Sequence, residues 1–235
     1  MKDARATRFL LILFWPLTAL VLFCDSRAVT TLGAHGQYAS NLLAPIFLLA
    51  LMSRMSPQRQ LLVALFVPLS AMGEGIFSLV FGLYGYRLGG VPLYVPFGHS
   101  ILMSIGLLLA DCDLVRQHER RVCRGLLLFH GGLIAATLLL RGDTLSTLFA
   151  VLFVLVLRGR CDRPFYLILG VLVLYIEILG TLWGCWAWRP DSFGVLHTTN
   201  PPPGAFTCYV LGDILAMQIA TRVEWRLMRR RAAQT

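Results

Sequence analysis

Charge is scarce in this chain of 235 residues: Asp, Glu, Lys and Arg together make up only 14% of it. Several chemical signatures are missing as well. There is no Cys-x-x-Cys pair and no Cys/His set with metal-ligand spacing among the six cysteines, which excludes a zinc finger or a dithiol redox motif. No Gly-rich phosphate loop, nucleophile elbow or zinc-protease helix occurs. A basic stripe with interleaved aromatics is absent too, so the net charge of +9 does not point to nucleic acid.

What is present is apolar. Hydrophobic residues make up 57% of the chain and its mean hydropathy is +0.71, more than a soluble domain of this size can bury. The chain therefore reads as an all-α, polytopic membrane protein. Eight apolar runs stand out, at 9–24, 41–53, 61–84, 93–110, 125–140, 145–157, 164–188 and 205–221. Several fall short of the ~20 residues that cross a bilayer, so flanking polar residues must complete them.

Orientation follows from the basic residues. With the N-terminus cytoplasmic, 17 of the 21 Lys and Arg residues fall on the cytoplasmic side, leaving Arg27, Arg87, Arg141 and Arg189 outside. Both termini are then cytoplasmic, in an inner or plasma membrane. The first run is expected to be a retained span rather than a cleavable signal, because Leu22-Phe23-Cys24-Asp25 is bulky where a cleavage site needs small residues. Cys112, Cys123 and Cys161 fall in cytoplasmic loops as reduced thiols. Cys185 and Cys208 lie toward the outer rim, where a disulfide is the less favoured state.

Two stretches share a pattern. One runs from Glu74 through Gly82-Leu83-Tyr84-Gly85-Tyr86 and a Pro/Gly-rich hairpin to Gly98-His99. The other runs from Glu177 through Gly184-Cys185-Trp186-Ala187-Trp188 and Asn200-Pro201-Pro202-Pro203-Gly204 to Gly212-Asp213. They suggest two parallel four-helix repeats, residues 1–115 and 116–235, related by an axis along the membrane normal. The offsets from carboxylate to aromatics differ by one residue, and the second hairpin is longer. Superposing the halves is expected to bring Glu74 onto Glu177 and His99 onto Asp213.

Glu74, His99, Glu177 and Asp213 all lie within apolar runs. Each intramembrane charge costs at least ~2.5–3.5 kcal/mol, so the four are expected to face the bundle interior. The plain reading is that each holds helices together through a hydrogen bond. The functional one is acid chemistry. A carboxylic acid deep in an apolar bundle keeps its proton more readily, because burial disfavours the charged form. Beside aromatic faces it can protonate a carbon–carbon double bond and hold the resulting cation. Tyr84, Tyr86, Trp183, Trp186 and Asn200 are the candidate substrate-binding residues. Tyr94 and Trp188 are read at least as readily as members of an interfacial aromatic belt.

Glu74-Gly75, Phe81-Gly82-Leu83-Tyr84-Gly85-Tyr86, Leu88-Gly89-Gly90-Val91-Pro92-Leu93 and Val95-Pro96 together resemble the signature of the carotenoid hydratase family, the bisanhydrobacterioruberin and γ-carotene hydratases. Trp186-x-Trp188 and the hairpin after it resemble that family's second half more loosely. The resemblance covers about 25 residues well and about 40 more loosely, and it implies acid-catalysed addition of water to a long isoprenoid. The chain departs from the pattern in three ways: Glu74 is about a turn closer to Phe-Gly, a Thr-Gly step is missing, and His99 stands at an aromatic position. On placement alone, Glu74 and Asp213 also resemble the catalytic pair of small membrane-bound terpene cyclases.

The expected function is thus an isoprenoid-modifying enzyme, a hydratase or cyclase, without metal or organic cofactor. Its partners would be a lipid-soluble isoprenoid and membrane lipids. Glu74 and Asp213 would be the acid and its partner, with Glu177 and His99 tuning or returning the proton. A proton-coupled transporter with parallel repeats is the alternative, and a non-catalytic scaffold the third reading.

Overall fold

In a computed structural model, the backbone is described for residues 4–32, 35–158 and 163–232, and side chains for 4–29, 36–158 and 163–222. The all-α expectation holds. The helices are α1 (Ala4–Cys24), α2 (His35–Met52), α3 (Pro57–Glu74), α4 (Tyr94–Ala110), α5 (Asp113–Gln117), α6 (Glu119–Arg141), α7 (Thr144–Leu157), α8 (Arg163–Leu182) and α9 (Phe206–Ala232). A 3₁₀ turn, Arg27–Leu32, follows α1, and a π-helical stretch, Gly75–Val80, continues α3.

Helix limits follow local chemistry. Ser56 caps α3 by accepting from the Arg59 N–H, and Pro57 follows at a position whose N–H is not needed. Asp143 caps α7 through the Ser146 N–H at 2.8 Å. Gly142, at φ 68°, ends α6 in the left-handed conformation that a residue without Cβ adopts freely.

Among the described residues, four helical segments are long and apolar enough to cross a bilayer: Ala4–Cys24, Pro57–Val80, Glu119–Arg141 and Arg163–Leu182. Gly36–Met52, Tyr94–Ala110 and Thr144–Leu157 are apolar but shorter. The outer surface is greasy. Leu128, Leu139 and Leu140 on α6 are each more than 70% exposed, as befits side chains facing lipid.

The centre of the bundle is α4, whose residues Ser100 through Gly106 are all buried. It packs against α2, α3 and α8, while α9 packs against α3, α7 and α8. Glycines let these helices approach closely. A Cβ at Gly106 would lie 3.0 Å from the Phe165 ring, and one at Gly170 only 2.8 Å from His130, whose Nε2 meets the Leu167 carbonyl at 3.1 Å.

The ends of two expected runs are corrected. Residues 84 and 186–188 are not helical: β1 (Tyr84–Tyr86) pairs antiparallel with β2 (Trp186–Trp188), with Gly85 opposite Ala187. A second small ribbon joins β3 (Asp191–Ser192) to β4 (Leu196–His197) within the longer hairpin. Cys123 lies inside α6 rather than in a loop. Cys185 and Cys208 are free thiols, and Cys161 falls outside the described residues.

Candidate functional site

The β1–β2 ribbon roofs a cavity of about 320 Å³. Alternate residues of a strand share a face, so Tyr84, Tyr86, Trp186 and Trp188 all line the cavity while Gly85 and Ala187 are exposed. Their rings pack across the ribbon. Tyr84 and Trp188 have centroids 4.7 Å apart, and Tyr86 meets Trp186 edge-on at 6.1 Å. The N–H of Arg87 donates to the Cys185 carbonyl and that of Arg189 to Leu83, both at 2.9 Å, which closes each end of the ribbon.

Two carboxylates meet this roof, and each is held by one strand. Glu74, the last residue of α3, accepts at Oε2 from the hydroxyls of Tyr84, at 2.8 Å, and Tyr86. Its Oε1 lies 2.8 Å from His99 Nε2. Glu177 on α8 accepts at Oε2 from the indole N–H groups of Trp186 and Trp188, both at 2.9 Å. Burial first, and then the Glu74 carboxylate, push the Tyr84 and Tyr86 hydroxyls well above the usual phenol range, so both stay O–H donors.

The π-helical stretch accounts for the one-residue mismatch between the two motifs. Glu74 precedes Tyr84 by ten residues and Glu177 precedes Trp186 by nine. A π turn takes up one more residue than the α turn it replaces, and Gly75–Val80 lies in that interval. Ser78 Oγ donates to the Tyr84 carbonyl at 3.1 Å, fixing the exit into β1.

Of the sequence candidates, Glu74, His99, Glu177, Tyr84, Tyr86 and Trp186 come together around the cavity. Three do not. Trp183 packs edge-on against Phe23 and is not part of the lining. Asn200 acts on the backbone, its Oδ1 accepting from the Trp188 N–H at 3.1 Å. Asp213 is buried away from the lining, and among the described residues neither of its carboxylate oxygens has a hydrogen-bond partner. The expected match of His99 with Asp213 therefore does not extend to their surroundings: Gly212 lines the cavity, and the next residue on the helix turns elsewhere.

Two residues for which the sequence leaves both a belt position and a site role open have inward roles. Trp188 is a Glu177 donor, and Tyr94 donates to Asp25 Oδ2 at 2.8 Å. That aspartate is fully buried and ion-paired with Arg87 at 2.8 Å. Gln37 Nε2 adds a bond to its Oδ1 at 3.1 Å. Because Arg87 follows β1 directly, this network anchors the roof to α1, α2 and α4. Tyr209, which sequence reasoning missed, stacks on His99 at 4.2 Å with rings 8° from parallel. Its only sequence signal is its position one helical turn before Asp213.

The remaining lining is mostly apolar, and at one side its residues are also exposed. Met72 and Ile76 on the α3 side and Leu211 and Leu215 on α9 line the cavity while being 41–64% exposed. The mouth thus opens sideways, through the apolar outer surface between α3 and α9.

Gly180 makes room for the Glu177 site. A Cβ there would lie 2.1 Å from the Trp186 ring, so Gly180→Leu is expected to expel that indole from Glu177. The overpacking should cost about 1–3 kcal/mol, read as a lower unfolding temperature in detergent together with a shifted tryptophan emission.

No family model, curated protein or solved structure matches the chain.

Proposed function

We propose that this protein is an integral-membrane enzyme that protonates a carbon–carbon double bond of an isoprenoid chain, leading to hydration or cyclisation. The observation that carries the reading is the meeting of two buried carboxylates, Glu74 and Glu177, under a roof of four aromatic rings in one apolar cavity. Such a site excludes bulk water, offers a proton, and presents ring faces to a carbocation. A lateral mouth suits a substrate dissolved in the bilayer, and a mostly apolar lining suits a hydrocarbon chain. The resemblance to carotenoid hydratases around Tyr84 and Tyr86 supports the same chemistry.

The architecture belongs to this reading. Eight spans, α1–α4 and α6–α9, would form two parallel repeats over 1–115 and 116–235, with both termini cytoplasmic. The ribbon supports a two-fold relation, because the equivalent residues Gly85 and Ala187 face each other and each strand holds the carboxylate of its own half. The packing of α4 on α8 and of α3 on α9 supports it as well.

The test uses membranes containing the protein, with lycopene as the probe alkene, incubated in deuterated water. Alkene protonation should place deuterium on carbon in the recovered isoprenoid. Replacing Met72 and Leu215 together by Trp should slow this by narrowing the mouth, while leaving the unfolding temperature nearly unchanged. Absence of deuterium on carbon with the unaltered protein would remove the enzyme reading and favour a proton-coupled transporter.

A further inference from the structure

Resting on that reading, the geometry points to a fixed division of labour: Glu177 gives the proton to the alkene through Oε1, and Glu74, paired with His99, takes a proton at the end. The indole N–H can only donate. Two indoles bond to Glu177 Oε2 at 2.9 Å, so this oxygen must act as acceptor. In a neutral carboxyl group the carbonyl oxygen is the better acceptor, so the acid proton sits on the other oxygen. Among the described residues Oε1 has no hydrogen-bond partner, and it is not among the fully buried polar atoms that lack one. It keeps accessible surface, and Glu177 lines the cavity. The proton is therefore presented to whatever the cavity holds.

Glu74 has no such oxygen. Tyr84 and Tyr86 occupy Oε2, and His99 Nε2 lies 2.8 Å from Oε1. With an Nε2–H on His99, Glu74 would accept three bonds, so both its oxygens face donors and neither presents a proton to the cavity. The stack of Tyr209 on His99 holds that imidazole in place.

The steps balance without a further reagent except water. The O–H bond at Glu177 Oε1 breaks as the alkene π pair forms a C–H bond, and the positive charge falls on the more substituted carbon. The new Glu177 carboxylate is stabilised by the two indole N–H groups. In hydration, a water lone pair forms the C–O bond and the proton lost from that oxygen passes to Glu74. In cyclisation, an internal alkene closes the ring and a C–H proton passes to Glu74. Return of one proton from Glu74 to Glu177 resets the site.

Infrared spectroscopy of the purified full chain in lipid tests the assignment without any substrate. Bands that vanish in Asp213→Asn are set aside first. A protonated-carboxyl C=O band should then disappear in Glu177→Gln and persist in Glu74→Gln. Trp186→Phe and Trp188→Phe should each move it to higher frequency, since each removes one donor to the C=O oxygen while keeping a ring. A band that survives Glu177→Gln but is lost in Glu74→Gln overturns the inference, as does the lack of any band sensitive to Glu177. The two indole variants decide the matter if Glu177→Gln fails to fold: an unmoved band in both overturns it. Deuterium transfer to lycopene separates the two levels. Expected band behaviour with no transfer by the unaltered protein would overturn alkene protonation alone, leaving the proton on Glu177. Transfer undiminished in Glu177→Gln would overturn the donor assignment and leave alkene protonation standing.

Discussion

Glu177→Gln and Glu74→Gln are each expected to lower turnover of a lycopene probe by about 10²–10⁴-fold, the range that a positioned acid or base contributes. The amide keeps the size of the side chain and accepts hydrogen bonds at its oxygen. It has no transferable acid proton and is a poor base. The two losses should differ in kind. Without Glu177 no C–H bond forms, so a single-turnover experiment in deuterated water should give no label. Without Glu74 the first protonation survives, so labelling should stop near one deuteron per protein molecule. Asp213→Asn is expected to leave turnover within a few-fold, because that carboxyl does not line the cavity. Product formation by chromatography, normalised to folded protein, checks all three. Strong loss in Asp213→Asn with folding intact would restore the pairing of Glu74 with Asp213 that sequence placement suggests.

Arg87→Leu is expected to destabilise the fold by about 3–5 kcal/mol, the usual cost of removing one partner from a buried ion pair. Asp25 is fully buried, and Arg87 reaches both its backbone carbonyl through Nε and its carboxylate through a second nitrogen. Among the described residues, leucine would leave the charge of Asp25 with the Tyr94 hydroxyl and Gln37 amide as its side-chain donors. The double variant Arg87→Leu/Asp25→Asn should recover part of the loss, because it no longer strands a charge. Thermal unfolding in detergent measures both. An unchanged midpoint for Arg87→Leu would show that the network does not carry the roof.

Much of the helical plan was legible in the sequence because apolar content is a bulk property. Runs such as 9–24 and 93–110 came within a few residues of α1 and α4. Misplacements occurred where an apolar run left the helix without becoming polar. Tyr84 and Trp186 to Trp188 are as hydrophobic as the helices before them, yet they form a ribbon. The glycines at 82 and 184, with φ 62° and 69°, turn the chain there. Apolar side chains under a closed roof and apolar side chains against lipid look alike in one dimension, so Trp188 and Tyr94 could be read as belt residues.

The sequence by itself determined that the chain is helical and greasy, and that Glu74 and Glu177 each precede a pair of aromatics at a spacing of nine to twelve residues. Those properties depend on local composition and periodicity. Only the tertiary structure decided which groups meet. Donors reach Glu74 and Glu177 because two strands about a hundred residues apart pair in one register, and a π-helical turn absorbs the residue by which the motifs differ. Gly212 lines the cavity and Asp213 does not, because successive residues of a helix are turned by 100° from a phase set by how α9 packs on α3 and α8. That phase is a property of the assembled bundle and has no counterpart in the order of the residues.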